Sequence, residues 1–179
     1  DSSVTAIAMP AMRMALGASL PQAQWINAAY LLSLSALVLV GGALGDRFGT
    51  ARVFALGIWA FVAASLACAA ALTPGQMIAA RAVKGIGAAL MVPGSMALVA
   101  RAYPRAERGK ALGLWAAAST MTTALGPVLG GMLITWGGEI GWRLIFALNL
   151  PLGLTALWLI RGRTPGDVGR PGGRVDPPG

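Results

Sequence analysis

Length, composition and charge place this chain outside the ordinary soluble proteins. Of its 179 residues, 56% are hydrophobic and 11% are charged, whereas soluble domains carry roughly 25% charged residues. In water, a chain of this length has too little interior volume to hide several long apolar stretches without a polar face. The net charge of +8 does not indicate a nucleic-acid-binding protein, because the basic residues form short clusters between apolar runs rather than one solvated stripe.

The types of side chain in the sequence exclude further classes of protein. The chain contains no histidine, so it offers neither histidine acid–base chemistry nor a histidine-ligated metal. Its single cysteine, Cys68, lies in an apolar run, where it is expected to pack within a helix. No cluster of nucleophiles, acids or metal ligands lies within the apolar runs. We therefore predict that the protein is not an enzyme and uses no metal and no cofactor.

The apolar runs predict six membrane-spanning helices, the first of them incomplete. A span needs about 20 mostly apolar residues, because the hydrocarbon core is about 30 Å thick and a helix rises about 1.5 Å per residue. Residues 1–17 are apolar but short, so the sequence is expected to enter its first helix partway along. The other predicted spans are 25–44, 53–72, 76–100, 111–135 and 144–160.

Turns rich in Gly and Pro separate the spans, and the distribution of Lys and Arg predicts their orientation. Short cytoplasmic loops retain positive charge. One side has only Arg13 and Arg143. The other side, predicted to be cytoplasmic, holds Arg47, Arg52, Arg101, Arg105, Arg108, Lys110, Arg161, Arg163, Arg170 and Arg174. Residues 1–161 are thus one helix bundle, and residues 162–179, dense in Gly, Pro and Arg, are a cytoplasmic linker.

Two basic residues lie inside the predicted fourth span. Arg81 and Lys84 are three residues apart, which places them on one face of a helix. Ionisable groups within a span usually face a protein interior or a water-filled cavity. The alternative is that they reach back to the outer interface, since Arg81 is only about 10 Å from the start of its helix at 1.5 Å per residue.

Two carboxylates also stand out. Asp46 ends the second span, where the negative end of the helix macrodipole is unfavourable for it. Asp46 has two possible roles. It is either part of a gate, where an arginine compensates its charge, or a solvated charge in a loop. Asp1 is about 26 Å from the outer end of its helix at 1.5 Å per residue. A carboxylate at that depth is a candidate proton carrier because its charge is costly there, and a juxtamembrane charge is the alternative.

Glycine spacing and one proline suggest close helix contacts. Gly45 and Gly49, and again Gly126 and Gly130, are four residues apart, and small residues at this spacing let helix backbones approach. Pro127, inside the fifth span, removes one backbone hydrogen bond and predicts a kink. Static packing and moving interfaces use the same chemistry, so this pattern alone does not distinguish them.

Together these motifs resemble those of the major facilitator superfamily, and within it the fourteen-helix drug:proton antiporter branch. Residues 42–49 resemble the signature loop between helices 2 and 3, through Gly42, Gly45, Asp46, Arg47 and Gly49. Residues 81–89 are similar to the helix 4 motif, through Arg81, Lys84, Gly85 and Gly87. In that motif, Lys84 stands where Gln is usual.

Three further segments carry the resemblance. The fifth span is similar to the antiporter motif, through Gly126, Pro127, Gly130 and Gly131. Residues 1–10 resemble the helix 1 motif of the fourteen-helix branch, with Asp1 matched and Ala6 where Asn is usual. Residues 142–153 resemble another segment typical of that branch.

The resemblance implies an all-α membrane protein, of which this chain is the six-helix N-terminal half. It implies a secondary active transporter that exports drugs or other small lipophilic compounds in exchange for protons across the bacterial cytoplasmic membrane. Asp1 and Arg81 would couple protons, and residues 42–49 would form a cytoplasmic gate. The implied partners are protons, a small-molecule substrate, the lipid bilayer and the C-terminal half. A facilitator of the same fold without proton coupling and a non-transporting membrane sensor remain alternatives.

Overall fold

The computed structural model describes residues 2–161, with side chains for residues 3–160. The described elements are helices, which confirms the predicted all-α fold class. Asp1 and the predicted linker at 162–179 lie outside the described residues. The helices are α1 Ser2–Leu16, α2 Leu20–Phe48, α3 Thr50–Ala70, α4 Pro74–Ala102, α5 Arg108–Gly137, α6 Gly141–Ala147 and α7 Asn149–Arg161, with a 3-10 turn at Gly138–Ile140.

Four stretches of the described chain are long and apolar enough to cross a membrane, and a shorter apolar helix, Ser3–Leu16, precedes them. The stretches are Leu20–Phe48, Thr50–Ala70, Pro74–Ala102 and Arg108–Ile160. The last of these reverses direction in the turn after α5, where Gly138 has φ +52°. Because it folds back on itself, this stretch supplies two of the predicted spans.

Polar caps begin two of the long helices, at the turns that the sequence predicts. Ser19 Oγ accepts a hydrogen bond from the Gln22 amide, while Gln22 Oε1 accepts one from the Ser19 amide. At α4, Thr73 Oγ1 accepts from the Gln76 amide. Such caps satisfy amide groups that lack a partner within the helix. α2 therefore starts at Leu20, before the predicted span at 25–44, and α4 starts at Pro74, just before the one at 76–100.

The connection between α2 and α3 is much shorter than the sequence predicts. Residues 42–48 form the last turns of α2 rather than a loop. The chain breaks only at Gly49, which has φ +99° and ψ 125°. That backbone conformation suits glycine and few other residues, whereas Asp46 and Arg47 are compatible with a helix. The signature motif is therefore a helix end followed by a one-residue break between α2 and α3.

Helix α4 lies between α2 and α3 and packs closely against both. A Cβ atom on Gly85 would come within 2.8 Å of Ser33 Cβ on α2. One on Gly87 would come within 2.6 Å of the Phe61 amide nitrogen on α3. These two glycines of the helix 4 motif thus let α4 approach two different neighbours.

The main apolar core lies where α1, α2, α3, α4 and α6 meet. A second, smaller cluster joins α3 to α7 through Ile58, Val62 and Leu157. The buried members of the main core are Ala8, Met12, Leu16, Ile26, Cys68, Ala71, Met77, Ala80, Trp142, Ile145 and Phe146. Cys68 is buried in this core, in agreement with its predicted packing role.

The sixth predicted span, 144–160, is divided into two helices. α6 ends at Ala147 and α7 begins at Asn149. Pro151 has no amide hydrogen to donate to the carbonyl four residues earlier, at Ala147, and this weakens the helix at that point. The predicted single span was wrong in this respect, although α6 and α7 both pack against α3.

Candidate functional site

Arg81 is buried between α4 and α2, in the N-terminal part of both helices. Its side chain has 0% exposure. Nε donates a hydrogen bond to the Ile26 carbonyl oxygen at 3.0 Å, and Nη2 donates to Asn27 Oδ1 at 3.4 Å. The guanidinium also lies 4.5 Å from the centre of the Tyr30 ring. Arg81 therefore turns into the bundle instead of reaching along its helix to the outer interface.

Lys84 is equally buried but contacts different helices. Its exposure is 0%, and Nζ lies 4.7 Å from the centre of the Phe61 ring on α3 and 4.8 Å from that of Phe146 on α6. A cation over an aromatic ring is stabilised by about 0.5–2 kcal/mol. We call Phe61 and Phe146 the aromatic clamp. Although three-residue spacing put Arg81 and Lys84 on one face, their long side chains diverge to separate neighbours.

A chain of ring contacts leads from the aromatic clamp toward the end of α3. Phe146 meets Trp142 edge to face, with ring centres 6.4 Å apart and planes at 84°. The guanidinium of Arg143 lies 4.2 Å from the centre of the Trp142 ring. Arg143 Nη1 donates to the carbonyl oxygens of Ala69 and Ala71, the latter at 2.9 Å.

Arg143 thus caps the C-terminal end of α3 from α6. Carbonyl groups there have no partner within the helix, and a cation is favourable at that end. Sequence reasoning used Arg143 only to assign a side of the membrane. Its capping role was not predictable, because Arg143 and its acceptors are more than 70 residues apart. The contacts of Asn27 and Tyr30 with Arg81 were not predictable either, because both residues lie on a different helix from Arg81.

The residues of the 42–49 motif surround a small cavity between the ends of α2, α3 and α4. This cavity has a volume of about 210 Å³ and is lined by Gly42, Gly45, Asp46 and Thr50, among others. Thr50 is 1% exposed, and its Oγ1 has no hydrogen-bond partner among the described residues. Asp46 is exposed, and Arg47 lies over the Phe48 ring at 5.3 Å. The predicted gate stays a prediction.

The glycines of the α5 motif divide between two environments. A Cβ on Gly126 or on Gly130 would come within 2.7 Å of the Val4 side chain on α1, while one on Gly131 would meet open space. Pro127 lies inside α5, which continues as a helix through it. Gly126 and Gly130 thus form the face that receives α1, and Gly131 does not.

The described residues place Arg81 but leave its relationship to Asp1 open. Proton coupling through Asp1 and Arg81 therefore remains a prediction. Among residues 2–161, no three Cys, Asp or Glu side chains lie close enough together to hold a metal ion.

The long apolar helices, one of which carries two buried basic residues in its N-terminal half, define a multi-pass helical membrane protein. The chain belongs to the Major Facilitator Superfamily, whose family model matches residues 1–178. The architecture is also similar to that of the inward-open xylose transporter XylE from E. coli. That likeness has a TM-score of 0.72 at 17% identity, over 93% of this chain and 44% of the transporter.

Several curated relatives are named for antibiotic resistance. The chain is 41% identical to a methylenomycin A resistance protein of Bacillus subtilis, over 95% of this chain and 37% of that protein. It is 36% identical to a tetracenomycin C resistance and export protein of Streptomyces glaucescens, over 88% and 29%. It is 39% identical to a puromycin resistance protein of Streptomyces alboniger, over 88% and 31%. The chain thus spans about a third of the length of these relatives.

Proposed function

We propose that this chain is the N-terminal half of a proton-coupled exporter of drugs or other small lipophilic compounds in the bacterial cytoplasmic membrane. Its relatives support the direction of transport, because one is named for export and all three for resistance to an antibiotic. Its partners are protons, the exported compound, the lipid bilayer and the C-terminal half of the same transporter.

The observation that carries this proposal is the position of Arg81. A guanidinium with 0% exposure inside a span is costly and is retained where it has a function. Arg81 is fixed between α2 and α4 by hydrogen bonds to Ile26 and Asn27. The positive charge of Arg81 is therefore held at a fixed position, from which it interacts with neighbouring groups.

In the proposed cycle, the two halves rock around a central site. A proton enters from outside onto Asp1, and the charge of Arg81 sets how readily that carboxylate takes it up. The exported compound leaves as the proton arrives. Asp46 and Arg47 latch the cytoplasmic side while the protein is open to the outside, and Gly49 provides the hinge beside this latch.

The test is export of the uncharged dye Nile red by the full-length protein in energised proteoliposomes, with internal pH recorded simultaneously. Wild type is expected to move the dye against its gradient with matching proton movement, and a protonophore should stop both. Asp1→Asn should abolish both. Glu107→Gln is the matched control, because Glu107 is exposed and makes no side-chain cap bond at the start of α5.

Two outcomes would contradict the proposal. Dye movement that persists at full rate with the protonophore would indicate a facilitator without proton coupling. Proton-coupled export that survives in Asp1→Asn would remove Asp1 from the coupling role.

A further inference from the structure

A second cavity lies between α1, α3, α5 and the junction of α6 with α7. Its volume is about 230 Å³, and its walls include Val4, Phe61, Leu129, Ile145 and Leu152. The residues that line it differ from those of the cavity beside the 42–49 motif. An apolar cavity of about 150 Å³ in another protein binds benzene, so this one has room for a ring with a substituent.

The close contact between α1 and α5 forms one wall of this cavity. A Cβ atom on Gly126 or Gly130 would come within 2.7 Å of the Val4 side chain, and both glycines line the cavity. On another side the cavity is lined by Leu148 and Leu152, which are 43% and 62% exposed. The cavity therefore opens beside α7, where a compound can enter without separating α1 from α5.

The cavity also has polar residues in its walls. Asn149, the half-buried first residue of α7, lines it. Among residues 3–160 the Asn149 side chain forms no hydrogen bond, although an amide can both donate and accept. The hydroxyl of Thr122, another lining residue, instead donates to the Ala118 carbonyl oxygen at 2.8 Å. An occupant made only of hydrocarbon, such as a lipid tail, would leave the Asn149 amide without a partner, which is unfavourable.

We infer that this cavity binds the ring of a small apolar compound and that the Asn149 amide donates a hydrogen bond to a carbonyl oxygen on that compound. Apolar side chains with a few polar groups that fix the orientation of the ligand are typical of small-molecule sites. The amide nitrogen carries two donor hydrogens, so a carbonyl oxygen is a matching group. The inference rests on the proposed export function, because it names the class of compound that this half would hold.

The hydrogen bond sets the size of the expected preference. A single net hydrogen bond corresponds to about a fivefold change in affinity. Two naphthalenes isolate this contribution, because 2-acetylnaphthalene carries a carbonyl group while 2-isopropylnaphthalene has nearly the same shape and no polar atom. The ratio of their affinities therefore reports the contact with the amide, and the affinity for 2-isopropylnaphthalene reports the space in the cavity.

Binding is measured by equilibrium dialysis of the full-length protein in lipid nanodiscs against protein-free nanodiscs, without any gradient. Asn149→Leu removes the amide and keeps a side chain of similar size. Leu152→Trp places a larger side chain at the opening and tests the cavity without changing the amide. Leu154→Trp is its matched control, because Leu154 is also exposed on α7 but does not line the cavity.

Wild type is expected to bind 2-acetylnaphthalene about fivefold more tightly than 2-isopropylnaphthalene. Asn149→Leu should remove this preference and keep the affinity for 2-isopropylnaphthalene. Leu152→Trp should weaken the binding of both compounds at least tenfold, whereas Leu154→Trp should match wild type. A wild type that binds neither compound or shows no preference would overturn the inference, as would an unchanged preference in Asn149→Leu or equal binding by the two Trp variants. Because binding is measured without a gradient, loss of proton-driven export would contradict only the proposed function.

Discussion

Arg81 on α4 donates a hydrogen bond of 3.0 Å from Nε to the backbone carbonyl oxygen of Ile26 on α2. That carbonyl lies in the second turn of α2, and Ile26 is fully buried. A carbonyl oxygen has two lone pairs, so it can accept the arginine in addition to its bond within the helix. The contact ties the N-terminal parts of α2 and α4 together at one defined point.

Replacing Arg81 with Lys should therefore impair the protein even though the charge is kept. A lysine cannot reproduce the fork that reaches both Ile26 and Asn27. We expect a loss of about 1.5–3 kcal/mol in the free energy of unfolding and a fall in export of at least tenfold. Both are measured on the full-length protein, by thermal unfolding and by Nile red export.

Arg13→Lys is the matched control for Arg81→Lys. Arg13 also donates from Nε to a backbone carbonyl, that of Ala18, but its side chain is exposed. Exposed contacts of charged groups contribute little to the free energy of unfolding. This variant should therefore behave like wild type. Full export by Arg81→Lys would show that a positive charge suffices at this position.

Gly85→Ala should destabilise the contact between α2 and α4. The added methyl group would meet the Tyr30 carbonyl oxygen and lie 2.8 Å from Ser33 Cβ. Because the obstacle includes backbone, the helices must move apart, at a cost of about 1–3 kcal/mol. Gly75→Ala is the control, since a Cβ there has open space. Equal melting temperatures for the two variants would refute the close approach.

Arg143→Met should loosen the C-terminal end of α3. The substitution removes hydrogen bonds to the carbonyls of Ala69 and Ala71 and the stacking on Trp142. We expect the free energy of unfolding to fall by about 2 kcal/mol and the Tm to fall by several degrees. Hydrogen exchange should show faster exchange of amides near residue 70, where the cap is lost. Unchanged exchange at that end would mean that Arg143 does not stabilise it.

The aromatic clamp can be measured by a double-mutant cycle. Lys84→Met, Phe146→Leu and the double variant should give a coupling free energy of about 1 kcal/mol in unfolding. The control cycle uses the exposed pair Arg47 and Phe48, 5.3 Å apart, where the coupling should be smaller than 0.5 kcal/mol. A coupling at Lys84 no larger than this would show that Phe146 does not stabilise the cation.

The order and approximate extent of the helices followed from the sequence. Each bilayer-spanning run must be long and apolar, and Ser19 and Thr73 are side chains that cap helix starts. The predicted helix boundaries were wrong where a single residue determined the backbone conformation. Gly49 alone ends α2, so residues 42–48 are helical rather than a loop. Near Pro151 the predicted sixth span divides in two.

The sequence by itself determined that this is a helical membrane protein with two basic residues inside one span, because hydropathy and charge position are properties of short segments. Only the tertiary structure decided that Arg81 turns to Ile26 on α2 while Lys84 turns to Phe61 on α3 and to Phe146 on α6. These partners come from other helices, and no local pattern encodes which helix packs beside which. The direction of a long side chain depends on the space and acceptors that its neighbours leave, and those exist only once the bundle has formed.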